Sequence, residues 1–329
     1  MTRIPASLKN EDVAPATAPG AVARPSAGAS SGELLSPLFM QSLDKLDVLS
    51  RKILSGKLQG DRRSKQRGQS VEFADYRPYV AGDDLRFIDW NLYARLDKLF
   101  LRLFMEEQDM ALTVAIDLSR SMDYGSPKKS HFARQLAAAL GYIGLVNYNR
   151  VSVYAFAGDR TQAVTNLRGR RPVRQMLTFL SQPMSLNDEP GAVSLEDFTR
   201  RLARSQPGKG IIVLVSDFMD KGDLDDALKP VSSEKWDVHA IQILSPQELD
   251  PARAGLSGDL RLRDVEDGQD VEVTISPELF KRYRENLEAY CSQVRQHCLK
   301  RGVSYALADT GVSFETLVLE HLRQRGLLT

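Results

Sequence analysis

The stretch that decides the fold is Ala111-Leu112-Thr113-Val114-Ala115-Ile116-Asp117-Leu118-Ser119-Arg120-Ser121. Leu112 to Ile116 is an almost unbroken apolar run, the pattern of a strand covered on both faces and so of a parallel sheet, since an antiparallel strand with a wet side would alternate. The run stops on an acid and two hydroxyls spaced by one residue. A second run, Ile211-Ile212-Val213-Leu214-Val215-Ser216, stops in the same way on Asp217.

Outward from the first run the pattern alternates. A helix is expected over about 128–148, a strand at 151–156, helices near 173–180 and 195–204, and a strand at 211–215. A short helix near 224–228, a strand at 238–244, a long helix over 277–300, a strand at 304–307 and a closing helix over 314–325 follow. Strands alternating with helices of this size predict an α/β fold, a doubly wound and mostly parallel sheet. Two alternating segments around Glu266-Asp267-Gly268 read as a β-hairpin over 259–275, inserted near one edge.

Upstream, a strand is expected at 99–104. Leu35, Leu38, Phe39, Leu43, Leu46, Leu49, Ile53 and Leu54 recur at three- and four-residue steps, which predicts an amphipathic helix beginning near Ser36-Pro37. Residues 1–32 are dominated by Ala, Pro, Ser and Gly and read as a disordered tail. The expected division is therefore a tail over 1–32, an N-terminal segment over 33–108 and the α/β domain over 109–329.

With 42% hydrophobic and 26% charged residues the chain is expected to be globular. Its 44 Lys+Arg balance 43 Asp+Glu, so no overall field draws it to nucleic acid or to an acidic membrane. From Arg51 to Arg67, seven basic residues face one acid, Asp61. Only Phe73 and Tyr76 follow closely as stacking groups, so this loop suits an acidic protein surface better than RNA. No apolar run approaches the roughly 18 to 20 residues of a membrane span. The N-terminus lacks the basic start and apolar core of a secretory signal, and a cytoplasmic location is expected. Cys291 and Cys298, seven apart, and four scattered histidines give no zinc or redox spacing.

In an open parallel sheet ligands bind beyond the carboxyl ends of the strands. Asp117, Ser119 and Ser121 alternate in a turn leaving one strand, so all three side chains can face one crevice, where Asp217 arrives from another. Oxygen-only ligation selects a hard ion, Mg²⁺ above all. Neutral hydroxyls leave such an ion under-neutralised and able to attract a carboxylate from another protein. The plainer reading of the same residues is that they cap turns and helices. The alternative function is a metal-dependent hydrolase using Asp117 and Asp217, but no His, Lys or Cys base accompanies them in either motif. An aspartyl-phosphate mechanism would want an acid where Ser119 stands, and Gly125-Ser126-Pro127-Lys128-Lys129-Ser130 lacks the glycines of a phosphate loop.

These residues resemble the von Willebrand A fold and its metal-ion-dependent adhesion site. More narrowly, Tyr79-Val80-Ala81-Gly82-Asp83-Asp84-Leu85-Arg86-Phe87-Ile88-Asp89-Trp90-Asn91, with Ala94-Arg95 and Glu106-Glu107, is similar to the bacterial family called domain of unknown function 58. The resemblance runs from about Leu43 onward. It implies a non-enzymatic adaptor or co-chaperone that couples a MoxR-type AAA+ ATPase to an unknown client protein, with Asp117, Ser119, Ser121 and Asp217 as the metal site. Such a site usually draws a third hydroxyl from a Thr in a Gly-x-Thr-like loop. The nearest match is Gly191-Ala192-Val193-Ser194-Leu195, where Val193 has no oxygen to offer and Ser194 or Ser185 is the substitute. Arg86, Asp89 and Arg95 are expected to pair locally, and Trp90 to anchor the N-terminal segment on the α/β domain.

Overall fold

The computed structural model describes residues 34–48, 71–106, 110–158, 160–182, 195–205, 209–220, 222–233, 235–251, 259–263, 270–274, 276–321, 323 and 327–328. The expected tail over 1–32, the basic loop from Arg51 to Arg67, Ser185 and Ser194 lie outside the described residues. Those described fall into two compact units, 71–106 and the remainder. No described helix is long and apolar enough to cross a membrane.

Helix α1 (Pro37–Leu43) opens on Ser36, whose side chain accepts from the Phe39 N–H at 3.2 Å, with Pro37 in the first-turn position that needs no donor. It is shorter than the apolar spacing predicts. Beyond Asp44 the chain turns and buries Leu46 and Val48, Val48 bridging antiparallel to Leu328. The rings of Phe39 and Phe132 each meet Phe314 edge-on, and the Tyr142 hydroxyl donates to Asp44 at 2.9 Å. These contacts put α1 in the larger unit, whereas the sequence grouped it with the segment that follows it.

The smaller unit is an antiparallel pair, β1 (Val71–Pro78) with β2 (Phe100–Glu106), joined through helix α2 (Trp90–Leu96). Its acids build the connection. Asp89 caps α2 by accepting from the N–H groups of Asn91 and Leu92, and also accepts from the Tyr76 hydroxyl at 3.1 Å. Asp83 pairs with Arg77 at 2.8 Å and Asp84 with Arg86 at 2.6 Å, so Arg86 and Asp89 do pair locally.

The larger unit continues with β3 (Ala111–Asp117), α3 (Lys129–Val146), β4 (Arg150–Ala157), β5 (Arg160–Leu167), α4 (Val173–Ser181), α5 (Leu195–Ser205) and β6 (Gly210–Ser216). After these come α6 (Leu224–Leu228), β7 (Trp236–Leu244), α7 (Pro246–Leu249), the hairpin β8 (Asp259–Arg263) and β9 (Asp270–Thr274), α8 (Pro277–Lys300), β10 (Ser304–Asp309) and α9 (Phe314–Thr316). A wider helical turn over Leu317–His321 follows α9, and most of the expected closing helix beyond it lies outside the described residues. The six-stranded sheet has the order β10-β7-β6-β3-β4-β5, parallel throughout except for the antiparallel edge β5.

Both faces of this sheet are covered, which is why its strands read as continuous apolar runs. Leu112, Val114 and Ile116 of β3 and Ile211, Val213 and Val215 of β6 join a core with Phe132, Leu136 and Leu140 of α3. Ala115, Ile212 and Leu214 point the other way, into a core with Phe198 and Leu202 of α5, Leu228 of α6 and Val294 and Cys298 of α8. The chain leaves β3 to one side through β4 and β5, then returns to the other side at β6. The order therefore reverses between β3 and β6, and an open α/β sheet offers its binding crevice at such a switch point.

Candidate functional site

Asp117 ends β3 and Asp217 follows β6, so the two acids stand on either side of the switch point. Register explains their approach. Ile116 pairs with Val215, which sets Asp117 beside Ser216, and the Ser216 hydroxyl donates to Asp117 Oδ2 at 2.7 Å. The Ser119 N–H donates to Asp117 Oδ1 at 2.8 Å, closing the turn that carries the hydroxyls. Ser119 Oγ and Ser121 Oγ lie 3.1 Å apart, Ser121 buried and Ser119 half-buried. The capping reading thus has substance for Asp117, and the clustering of hydroxyls has substance too.

On the β6 side, the chain turns sharply after Asp217. Phe218 is buried at φ +57°, a left-handed conformation that costs a bulky residue about 1–2 kcal/mol and gathers where a site demands it. The turn is held from three directions. The Met219 N–H donates to Asp217 Oδ1 at 3.0 Å, the Phe218 N–H donates to Ser216 Oγ at 2.9 Å, and the Tyr290 hydroxyl of α8 donates to the Phe218 carbonyl. Gln242 of β7 donates to the Asp217 carbonyl at 3.0 Å and accepts from the Tyr305 hydroxyl of β10 at 2.7 Å. The acids further along have structural work: Asp220 accepts from the Leu195 N–H at the start of α5, Asp223 caps α6, and Asp225 pairs with Arg301.

The structure adds two residues that the sequence did not single out. Lys129, the first residue of α3, has a side chain with no exposure at all, and its Nζ donates to Asp217 Oδ2 at 2.8 Å and to Glu248 Oε1 at 2.6 Å. Glu248 belongs to α7, where it forms a capping box: its Oε2 accepts from the Ser245 N–H at 2.7 Å and from the Ser245 hydroxyl at 2.9 Å. Asp217 therefore does have a lysine beside it, contributed by a different element. Burial pulls the Lys129 pKa down, but attraction to Asp217 and Glu248 and the two hydrogen bonds outweigh it, and the amine is held as ammonium above its ordinary range.

Asp117 shows the opposite imbalance. Burial foremost, and then the charge of Asp217, push its carboxyl up to about 6, against the hydrogen bonds from Ser216 and Ser119 that favour the ionised form. Three carboxylates thus stand against one ammonium, leaving two negative charges at the crest when all are ionised. One divalent ion would neutralise that surplus. The Ser119 and Ser121 hydroxyls, 3.1 Å apart, share a hydrogen bond with each other. Among the described residues, no group of three or more His, Cys, Asp or Glu side chains is arranged to hold a metal. A cation there would depend on the serine hydroxyls together with Asp117.

Two curated relatives, the uncharacterized proteins Mb1516 of Mycobacterium bovis and Rv1480 of Mycobacterium tuberculosis, are each 27% identical over 253 residues, covering 75% of this chain and 77% of theirs. Among solved structures, the conserved hypothetical protein BatB from Bacteroides thetaiotaomicron superposes with a TM-score of 0.41 at 17% identity, covering 66% of this chain and 98% of that one. The VWA domain of SpRpn10 superposes with a TM-score of 0.36 at 12% identity, covering 64% and 94%. A family model matches residues 75–294, from β1 of the smaller unit through most of α8, and the chain belongs to the family described as protein of unknown function DUF58.

Proposed function

We propose that the protein is a non-enzymatic interaction module that grips an acidic side chain of a partner at the crest between β3 and β6. The reading extends to Mg²⁺ held by Asp117, Ser119 and Ser121, and to service as adaptor or co-chaperone between a MoxR-type AAA+ ATPase and a client protein. The observation that carries it is the convergence, at the switch point of the sheet, of two hydroxyls with a buried carboxyl whose negative charge lacks a full counter-charge.

Each residue has a part. Ser216 and the Ser119 N–H orient Asp117, Ser119 and Ser121 contribute neutral oxygens, and the Asp217 carboxylate adds negative potential from across the crevice. Asp217 Oδ2 already holds the Lys129 ammonium, so the share of Asp217 in holding a further cation is electrostatic. A divalent ion bound there supplies an open coordination position for a partner carboxylate. Hydrolysis fits less well, because Lys129 is held as ammonium and offers no lone pair to take a proton. The ATPase and client come from the setting that the family resemblance implies.

Thermal unfolding with millimolar Mg²⁺ against EDTA tests the ion. Mg²⁺ should raise the melting temperature of the wild type and leave Asp117→Ala and Ser119→Ala/Ser121→Ala unmoved. Purified MoxR-type ATPase should bind the wild type in Mg²⁺ and lose affinity for the double-serine variant. Equal melting of the wild type with and without Mg²⁺ would remove the ion, and equal binding of the ATPase to both would remove the crest as its site.

A further inference from the structure

The geometry points to Lys129 as a tethered cation, an ammonium fixed by its own chain in a position between Asp217 and Glu248 that would otherwise take a second divalent ion. Its setting is unfavourable in every respect but one. It lies in the first turn of α3, where the helix dipole disfavours positive charge. It is fully buried, so both its hydration and its side-chain freedom are lost. What offsets this is the pair of carboxylates at 2.8 and 2.6 Å, reached across 88 and 119 residues of sequence.

Those carboxylates are themselves fixed. Asp217 Oδ1 is held by the Met219 N–H, and Glu248 Oε2 by the Ser245 N–H and hydroxyl. Each keeps one oxygen for a cation, and the ammonium takes both. In this way Lys129 ties the ends of β6 and β7 to the start of α3, a task that a hard divalent ion performs between carboxylates in many proteins. A tethered ammonium differs from such an ion in that it cannot dissociate. The crest therefore keeps its shape without metal, and at most one exchangeable ion has room there, on the Asp117 side. The inference concerns Asp217 and Glu248 and stands whether or not Asp117 holds an ion.

Lys129→Met removes the charge while keeping most of the volume, and Mn²⁺ binding counted by electron paramagnetic resonance reads the outcome. The variant should bind one more Mn²⁺ per chain than the wild type. Its melting temperature should fall in EDTA and recover with Mn²⁺ by a far larger shift than the wild type shows. Adding Glu248→Gln should abolish the extra site. A wild type that binds none and a variant that binds one would remove the ion at Asp117 and uphold the tethered cation. Equal counts in wild type and Lys129→Met, or an extra site that survives Glu248→Gln, would overturn the tethered cation. So would failure of Lys129→Met to fold in millimolar Mn²⁺, whether or not the double variant folds, since a divalent ion would then be unable to stand in for the ammonium.

Discussion

Replacing Asp117 by Asn should stabilise the metal-free protein at neutral pH, an outcome opposite to that of removing an ordinary cap. Burial and the charge of Asp217 carry the Asp117 carboxyl from 3.8 to about 6. That displacement corresponds to about 3 kcal/mol in favour of the protonated form. For a carboxyl raised in this way, the contribution to stability is complete below the ordinary 3.8 and is lost as pH rises through about 6. At neutral pH the metal-free fold therefore carries nearly the whole cost of a buried charge. Asn keeps the shape and one acceptor oxygen. Its amide nitrogen then faces either the Ser119 N–H or the Ser216 hydroxyl, and losing one hydrogen bond costs about 1 kcal/mol. The net expectation is a gain of about 2 kcal/mol at neutral pH in EDTA, turning into a loss of about 1 kcal/mol as pH falls through about 6 to below 3.8. Urea unfolding followed by circular dichroism across that range measures it. Mg²⁺ should stabilise the wild type and not the variant. A loss of stability of the same size at every pH would refute the reasoning, because Asp117 would then be a turn cap and nothing more.

Three other substitutions test the frame that holds the site. Gly210→Ala should destabilise by about 2–3 kcal/mol or more, because a Cβ there runs into the backbone carbonyl of Ala111 and forces β6 off β3; an unchanged melting temperature would contradict the β3–β6 register. Phe39→Ala should cost about 3–5 kcal/mol in urea unfolding, as expected of a buried ring in a core with Phe132 and Phe314. A loss below about 1 kcal/mol would mean that α1 is not part of that core. Tyr290→Phe removes the donor to the Phe218 carbonyl and should cost about 1 kcal/mol. It should also weaken the Mg²⁺ response, since the turn after Asp217 loses its tie to α8, and an unaltered response would make that tie irrelevant to the site.

The central strands could be read from the sequence because burial on both faces writes itself as an unbroken apolar run. The long helix is a similar case: Ser276 and Pro277 mark its start, and α8 occupies the expected 277–300. Strand β5 left no such mark. It is an edge strand whose residues from Arg160 to Asn166 are mostly exposed, so Thr161, Gln162 and Thr165 are as suitable for it as apolar residues would be. The overlong expectation for α1 failed for a different reason. Leu46 continues the helical spacing, but its N–H closes a turn onto the Leu43 carbonyl and Val48, two residues on, is buried in a bridge to Leu328, and spacing alone does not mark where a helix gives way to such a turn.

The site divides along the same line between local and distant. Asp117, Ser119 and Ser121 share one turn, and Asp217 closes the neighbouring strand, so a reading of strand ends finds all four. Ser216, Gln242 and Glu248 act through contacts that only the assembled sheet creates. Lys129 lies between these cases, because one half of its role was visible. Phe132, Ala133, Leu136 and Leu140 form the buried stripe of α3, and Lys129 stands at the next position of that stripe, three and four residues before the first two. A lysine on an apolar helical stripe has either to turn its end out to solvent or to meet a counter-charge inside. At the first turn of the helix, snorkelling toward the N-terminal end would carry the ammonium into the mouth of the sheet, where Asp217 was already expected. The stripe and the strand end together imply the Lys129–Asp217 pair, whereas Glu248, 119 residues away, enters only because β7 lies beside β6.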